Sequence, residues 1–248
     1  MSEGYWIVRQ AVVPLRAEPS HRSEQVSQLL WGEPQQILLE ERGWLYVRGI
    51  LDGYVGWVPG GTLCWAVHPF GGWAVVQQRY APLLCNGRQV GWVPLGALFP
   101  AEGTWLTALG SYHVPRSALR PWGPTPLAQL IPALRPLFAG TPYLWGGKTP
   151  AGIDCSGLTQ IAYRLAGVLL PRDAYQQAEV TLPVEQPKVG DLVFFSTGAR
   201  ITHVALWLGE GRIWQATPAA GVHEVPLTVL FTHTFHSFRT WVAGYFVI

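Results

Sequence analysis

The chain has 248 residues, of which 49% are hydrophobic and 13% charged, a balance that excludes a disordered protein and predicts a compact one. This length allows one large domain or two to three small ones. The 17 basic and 15 acidic residues leave a net charge of +2 without a basic cluster, so we expect no nucleic acid and no membrane as partner. No stretch approaches the ~20 apolar residues of a transmembrane helix. The first residues lack the basic and apolar blocks of a signal peptide, so we expect a cytoplasmic protein unless a leader has been removed.

The three cysteines, Cys64, Cys85 and Cys155, form an odd set without a CxxC pair. This pattern argues against a disulfide framework and against a zinc site of the usual spacing. Cys64 and Cys85 have apolar neighbours and are predicted to be buried structural thiols. His233 and His236 could supply two metal ligands, but no Cys, Asp or Glu nearby completes a site. We therefore expect no metal and no other cofactor.

The first half of the chain carries a short internal repeat, since Gly56-Trp57-Val58-Pro59 recurs as Gly91-Trp92-Val93-Pro94. Each copy closes a series of short strand-like segments that are separated by Gly, Pro and charged turn residues. The predicted strands cover residues 10–15, 25–30, 36–40, 44–47 and 53–58, and then, more loosely, residues 73–77, 80–84 and 89–93. This spacing predicts small β-barrels, in which Trp57 and Trp92 would be core aromatics.

This half resembles tandem bacterial SH3-like domains, whose last strand often ends in Gly-Trp-Val. The first copy carries the resemblance through Val13-Pro14-Leu15-Arg16, Gly32-Glu33 and Asp52-Gly53-Tyr54-Val55-Gly56-Trp57. The resemblance implies one SH3-like domain at residues 1–62. It implies a second, degenerate one at residues 63–120, followed by a linker to about residue 126.

The second half begins with a proline-rich segment, with six prolines between residues 120 and 142. Its apolar period predicts a helix over residues 127–138, which Pro132 and Pro136 would interrupt. A further helix is predicted from residue 155 to about residue 167. Strands are predicted at residues 191–195, 203–208, 212–216 and 240–247. A helix packed against an antiparallel sheet is an α+β arrangement.

Cys155 stands at the predicted start of a helix, after a loop rich in Gly and Pro. The positive end of the helix dipole and the unpaired N–H groups there would favour the thiolate, and the same N–H groups could bind the oxyanion of a tetrahedral intermediate. His203 stands at the head of a strand, from which it could act as general base. Gln215 follows on the next strand, and antiparallel pairing across the turn Gly209-Glu210-Gly211 could place it beside His203. Spacing alone also allows a structural role for each of them.

Three motifs of this half together resemble the NlpC/P60 family of papain-like cysteine peptidases. They are Asp154-Cys155-Ser156-Gly157-Leu158, Gly190-Asp191-Leu192-Val193-Phe194-Phe195, and His203-Val204-Ala205-Leu206-Trp207-Leu208-Gly209. Their order and spacing agree with the family over roughly residues 125–248, which implies a catalytic domain at residues 127–248. The resemblance implies Cys155 as nucleophile, His203 as general base and Gln215 at the third polar position, where the family most often has His. It also implies hydrolysis of peptidoglycan stem peptides, usually between γ-D-glutamate and a diamino acid.

With the SH3-like domains, the chain looks similar to γ-D-glutamyl-L-diamino acid endopeptidases of murein peptide recycling, whose substrate has a free N-terminal L-Ala. There the first SH3-like domain helps close the cleft at the amine, and an ammonium needs a carboxylate and other acceptors around it. The substrate-binding candidates are Asp154 and Ser156 beside the nucleophile, Tyr143 as an oxyanion donor or loop cap, Arg172 and Asp173 along the cleft, and Glu24, Glu33 and Tyr54 of the first barrel. Ala174 stands where many relatives have Ser.

Other interpretations stay open from the sequence alone. The candidate substrate-binding residues could instead have purely structural roles: a local turn for Arg172 and Asp173, solvated acids for Glu24 and Glu33, and a barrel-edge aromatic for Tyr54. The SH3-like half could instead target an exported enzyme to the cell wall, which would require a leader. The catalytic domain could be an inactive peptide binder, although its Cys and His are both present, or it could be an amidase or acyltransferase. We expect a monomer, and the sequence does not identify the diamino acid.

Overall fold

The computed structural model describes residues 3–68, 71–229 and 234–241. The chain divides into two compact units, Met1–Gly123 and Pro124–Ile248, and the division falls in the proline-rich segment. Every strand pairing between the named strands of both units is antiparallel. Among these residues, no helix is long and apolar enough to cross a membrane.

The N-terminal unit is built almost entirely of strands. They are β1 (Glu3–Val8), β2 (Val12–Arg16), β3 (Gln25–Leu30), β4 (Pro34–Glu41), β5 (Trp44–Gly49), β6 (Val55–Pro59), β7 (Leu63–His68), β8 (Trp73–Val76), β9 (Tyr80–Cys85), β10 (Arg88–Pro94), β11 (Leu98–Pro100), β12 (Thr104–Thr107), β13 (Gly110–His113) and β14 (Leu119–Pro121). A short 3-10 turn, Arg116–Ala118, precedes β14. An 11-stranded sheet has the order β10-β9-β13-β12-β7-β1-β4-β5-β6-β2-β3, and β11-β8-β14 form a second sheet.

Strand β1 is one of six strands of this unit that the sequence pattern does not predict, together with β7, β11, β12, β13 and β14. It pairs with β4 on one side and with β7 on the other. Its alternating side chains enter two different hydrophobic cores, since Val8 packs with Val58 and Ile7 packs with Trp105. Because Ile7 and Val8 are both fully buried on opposite faces, the strand lacks the polar alternation of a half-exposed strand. A second SH3-like barrel around the Trp105 core stays a prediction.

The prediction that Trp57 and Trp92 fill the barrel cores is wrong. Trp92 is 55% exposed on β10, and Trp57 is only half-buried on β6. Side chains alternate along a strand, and the residues that follow the two tryptophans, Val58 and Val93, are the ones that point into the cores. The fully buried indole of this unit is that of Trp105.

Cys64 and Cys85 are free thiols that are half-buried, not fully buried as predicted. Cys64 packs against the core of Trp105, and burial raises the pKa of its thiol while the charge of Arg9 acts in the opposite direction. Cys85 lies at the end of β9, beside a turn, where a strand leaves the core.

The C-terminal unit has the predicted α+β arrangement. Its elements are α1 (Leu127–Leu137), β15 (Lys148–Thr149), β16 (Gly152–Ile153), α2 (Cys155–Leu165), α3 (Ala174–Glu179), β17 (Leu182–Pro183), β18 (Leu192–Thr197), β19 (Arg200–Gly209), β20 (Arg212–Thr217), β21 (Gly221–Pro226), the 3-10 turn Leu227–Val229, and β22 (Thr234–Thr240). Six strands form one sheet in the order β17-β22-β18-β19-β20-β21. Helices α2 and α3 both pack against β19, the strand at the centre of the site.

Helix α1 is continuous, so the predicted interruption at Pro132 and Pro136 is wrong. The two prolines are four residues apart and lie on the exposed face of the helix, whereas Ile131 and Leu134 are buried. A proline in a helix leaves the carbonyl four residues earlier without its N–H donor. On an exposed face water can satisfy that carbonyl, so the apolar stripe keeps the helix in place.

The predicted elements around the three motifs are present. The helix predicted from residue 155 is α2, and the strands predicted at residues 191–195, 203–208 and 212–216 are β18, β19 and β20. The strand predicted at residues 240–247 lies outside the described residues beyond residue 241.

Candidate active site

Asp154 closes the glycine-rich loop and is the N-cap of α2. Its Oδ1 accepts a hydrogen bond from the N–H of Gly157 at 2.7 Å, and its Oδ2 accepts one from the N–H of Gly146 at 2.9 Å. Position 157 requires glycine, because a Cβ there would overlap the carbonyl oxygen of Gly147. These contacts hold the loop against the first turn of the helix and place Cys155 as its first residue, as the sequence predicts.

Arg172 forms a buried ion pair with Asp154. Its Nη1 donates to Oδ1 at 3.1 Å and its Nη2 donates to Oδ2 at 2.6 Å, while the two side chains are only 1% and 7% exposed. The Nη1 group also donates to Oγ of Ser156 at 2.8 Å, and this hydroxyl donates to Oδ1 of Asp154 at 3.3 Å. The three side chains thus form one network at the start of α2. A direct contact of any of them with substrate stays a prediction.

The Cys155 thiol is buried next to the strand that carries His203. The backbone N–H groups of Val204 and Ser156 donate to the sulfur. The pKa of this thiol is raised to about 12. Burial is the largest cause and the carboxylate of Asp154 acts in the same direction, whereas those N–H groups and the Arg172 guanidinium act against them. The expectation of a thiolate at rest is therefore wrong, because burial outweighs the helix end. The thiol keeps its proton at neutral pH until a base accepts it.

His203 lies on β19 and is hydrogen-bonded to Gln215 on β20. The distance from Nε2 of His203 to Oε1 of Gln215 is 2.7 Å, and both side chains are buried. The pairing of β19 with β20 places Leu206 opposite Trp214, so His203 and Gln215 meet diagonally across two strands. This is the contact that the hairpin predicts. Since Nε2 faces Gln215, Nδ1 is the nitrogen left to receive a proton from a nucleophile.

His223 is a half-buried neighbour of Gln215 that the sequence did not predict. Its Nε2 lies 3.3 Å from Nε2 of Gln215, and its Nδ1 lies 2.9 Å from the carbonyl oxygen of Gly221. The register of β20 and β21 sets Gln215 directly opposite His223. The turn between β20 and β21 could have revealed this contact in the sequence. Counting residues outward from the turn places Gln215 opposite His223.

Tyr143 and Asp173 flank the site. Burial raises the pKa of the Tyr143 phenol, Asp154 and, once deprotonated, Cys155 act in the same direction, and Arg172 lowers it. The phenol is therefore protonated at neutral pH and able to donate, although its backbone also bridges to Ile153, so both predicted roles stay open. Asp173 is the N-cap of α3, where it forms a capping box with Gln176.

The other candidates lie in the N-terminal unit or carry no polar group. Glu24 is exposed, Glu33 is buried, and Tyr54 packs partly against the core of Val58. Their contribution to a substrate site stays a prediction. Ala174 is buried at the start of α3 and supplies only a methyl group where a serine would supply a hydroxyl.

No group of three or more His, Cys, Asp or Glu side chains in the described part of the chain is arranged to hold a metal ion. His236 is exposed on β22 and contacts Ser237, and its predicted companion His233 lies outside the described residues.

The raised pKa of Cys155 predicts how its alkylation depends on pH once the base is removed. In a His203→Ala variant, we expect the rate of reaction with iodoacetamide to rise up to at least about pH 10, because the thiolate is the reactive form and a raised pKa moves its formation to higher pH. A free cysteine peptide levels off near pH 9 by comparison. Mass spectrometry of the Cys155 peptide measures the rate, and a plateau below about pH 9 would contradict the buried-thiol environment.

Comparison with known proteins agrees with this geometry. The profile described as NlpC/P60 family matches residues 140–239, and the profile described as bacterial dipeptidyl-peptidase SH3 domain matches residues 15–63. Dipeptidyl-peptidase 6 of Lysinibacillus sphaericus is 30% identical over 236 residues, which cover 82% of this chain and 84% of the relative. The chain belongs to the NlpC/P60 family. Within that family it is a cysteine peptidase with an N-terminal bacterial SH3 domain.

The chain is also similar to a second curated relative and to a solved structure. The gamma-D-glutamyl-L-lysine dipeptidyl-peptidase of Bacillus subtilis is 43% identical over 101 residues, which are 38% of this chain and 33% of that protein, so this match spans about a third of the relative. The crystal structure of an NlpC/P60 family protein from Bacillus cereus superposes with a TM-score of 0.80, covering 96% of this chain and 99% of the other at 18% identity. At that identity the likeness concerns the fold.

Proposed function

We propose that this NlpC/P60 peptidase hydrolyses the bond between γ-D-glutamate and a diamino acid in peptidoglycan stem peptides that begin with a free N-terminal L-Ala. The observation that carries the proposal is the buried Cys155, whose sulfur accepts from the N–H of Val204, the residue that follows His203 of the His203–Gln215 pair. It stands in a chain that is similar, over most of its length, to a protein named dipeptidyl-peptidase. A peptidase that removes a dipeptide needs to recognise the free amine two residues before the bond it cleaves.

In this proposal the Cys155 thiol gives its proton to Nδ1 of His203 as the sulfur attacks the γ-carbonyl carbon of D-glutamate. Gln215 accepts from Nε2–H of His203 and so keeps the lone pair of Nδ1 directed at the thiol. The backbone N–H of Cys155 itself, together with the Tyr143 phenol, stabilises the oxyanion, because the N–H groups of Ser156 and Gly157 already donate to the sulfur and to Asp154. The imidazolium then protonates the leaving amine, and a water molecule, deprotonated by His203, hydrolyses the thioester.

The existing contacts of Asp154 limit its ability to bind the substrate ammonium. Its carboxylate already accepts from the guanidinium of Arg172, from two backbone N–H groups and from a hydroxyl. A carboxylate neutralised in this way attracts an ammonium less strongly than a free one. Glu24 and Glu33 therefore remain the acids on which we base the free-amine requirement in this proposal, with Tyr54 as a further candidate.

The proposal is tested with L-Ala-γ-D-Glu-diaminopimelate and its N-acetyl derivative, with products separated by chromatography. We expect acetylation to lower kcat/KM by about 100-fold, because it removes the positive charge by which the peptide would be recognised. The tripeptide with lysine in place of diaminopimelate determines the diamino acid, and the Cys155→Ala protein is the control for contaminating peptidase.

Two outcomes of this experiment would overturn the proposal. Equal cleavage of both forms would remove the free-amine requirement and favour a cell-wall hydrolase whose SH3-like half binds peptidoglycan. Transfer of an acyl group, or release of a product other than L-Ala-γ-D-Glu, would favour an amidase or acyltransferase of the same family.

A further inference from the structure

We propose that His223 is a positioning residue of this peptidase, which sets the orientation of the Gln215 amide and, through it, the protonation of His203. The inference rests on His203 as the general base. His223 would act on the reaction only through Gln215, because its described hydrogen bonds are to Gln215 and to the Gly221 carbonyl. A chain of three hydrogen bonds runs from the backbone carbonyl of Gly221 through His223 and Gln215 to His203.

The chain begins at Gly221, whose position is fixed by close packing. Its φ of 65° lies in the left-handed region, and a Cβ there would overlap the carbonyl oxygen of Thr141. The next residue, Val222, donates its N–H to that same carbonyl oxygen at 2.9 Å. The start of β21 is therefore held in one place, and the Gly221 carbonyl oxygen is a fixed acceptor for the ring of His223.

The protons along the chain follow from the chemistry of each partner. A carbonyl oxygen only accepts, so Nδ1 of His223, 2.9 Å from the Gly221 oxygen, carries a hydrogen. In the neutral imidazole Nε2 is then an acceptor, and the Gln215 group that faces it at 3.3 Å is the amide NH₂. The amide oxygen is left to face Nε2 of His203 at 2.7 Å, which requires the hydrogen of His203 on Nε2. The lone pair of His203 is thereby on Nδ1.

This orientation matters because a glutamine amide has nearly the same shape either way round. Turned over, it would present its NH₂ to Nε2 of His203 and favour the tautomer with the hydrogen on Nδ1, which cannot accept a proton from the thiol. A histidine or a carboxylate at position 215 would not need a second residue to define its direction to the same degree. The departure of Gln215 from the usual histidine therefore explains why His223 is needed.

The first test compares His223→Phe, which removes the acceptor, with His223→Gln, which keeps one within reach. We expect His223→Phe to lower kcat about tenfold with KM unchanged, and His223→Gln to stay within about threefold of the original protein. The matched control is Glu224→Gln on the same strand, which removes ion pairs with Arg135 and Arg212 but no contact with Gln215. If His223→Phe does not fold, His223→Asn, whose side chain is too short to reach Gln215, replaces it.

The second test combines these changes with Gln215→Glu. A carboxylate accepts through either oxygen, so in this background we expect His223→Phe to cost less than about threefold, giving a non-additive double-mutant cycle. The rate of alkylation of Cys155 at pH 7 is followed in every variant, because it depends on His203 as base and needs no stem peptide. Failure of the substrate proposal would thus leave this readout intact. Unchanged kcat and alkylation in His223→Phe, an equal loss in Glu224→Gln, or an equal loss in the Gln215→Glu background would overturn the inference.

Discussion

Replacement of Cys155 by alanine is expected to lower the hydrolysis of a cleavable stem peptide by at least about 1,000-fold. The sulfur is the group that forms the covalent intermediate, and Cys64 and Cys85 lie on strands of the N-terminal unit, without the contacts that hold Cys155 at the start of α2. The variant keeps the Cβ and the cap formed by Asp154, so we expect its circular dichroism spectrum and thermal transition to be unchanged within about 2 °C. The rate is measured by chromatography of the released products.

The control for this experiment removes the other two thiols. A Cys64→Ala, Cys85→Ala double variant should retain the full rate, because both residues are remote in sequence and structural in their packing. A Cys155→Ala protein that keeps more than about a tenth of the original rate would show that the sulfur is not the nucleophile.

Replacement of Arg172 by methionine is expected to lower the free energy of unfolding by about 3–5 kcal/mol. The change removes one partner of a buried ion pair and leaves the Asp154 carboxylate without its counter-charge at the start of α2. It also removes the donor to Ser156. Because the guanidinium lowers the pKa of the Cys155 thiol, its loss should slow the reaction as well. Urea denaturation followed by circular dichroism measures the stability, and initial rates measure the activity.

An exposed ion pair of the same unit provides the matched control. Arg135 and Glu224 also form a salt bridge, but the arginine side chain is 48% exposed, so Arg135→Met should cost less than about 1 kcal/mol. Adding Asp154→Asn to Arg172→Met removes the unpaired charge and should restore about half of the lost stability. Equal effects of Arg172→Met and Arg135→Met would contradict the importance that we give to burial.

The sequence predicts the catalytic framework because its signals are local. Asp154 is a good N-cap residue followed by an apolar helical period, which places Cys155 at the helix start. A tight turn between two strand patterns sets the register that brings Gln215 to His203. These features depend on a few neighbouring residues, so each can be predicted without knowledge of the rest of the fold.

The features that the sequence does not reveal depend on packing between distant segments. The pKa of Cys155 is set mainly by burial, which only the folded unit supplies. Arg172 meets Asp154 across a separation of 18 residues, and β1 is covered by cores from both halves of its unit. The Trp92 side chain points away from the core because the opposite face of β10, with Val93, is the one that packs against it.

The most direct test of the central claim is to trap the covalent intermediate. L-Ala-γ-D-Glu-diaminopimelate is mixed with the protein, quenched in acid within milliseconds, and the protein is digested for mass spectrometry. A thioester adduct with the mass of an L-Ala-γ-D-Glu acyl group on the Cys155 peptide, absent from Cys155→Ala, is the predicted result. Turnover of this peptide without any adduct on Cys155, or with an adduct on another residue, would contradict the account.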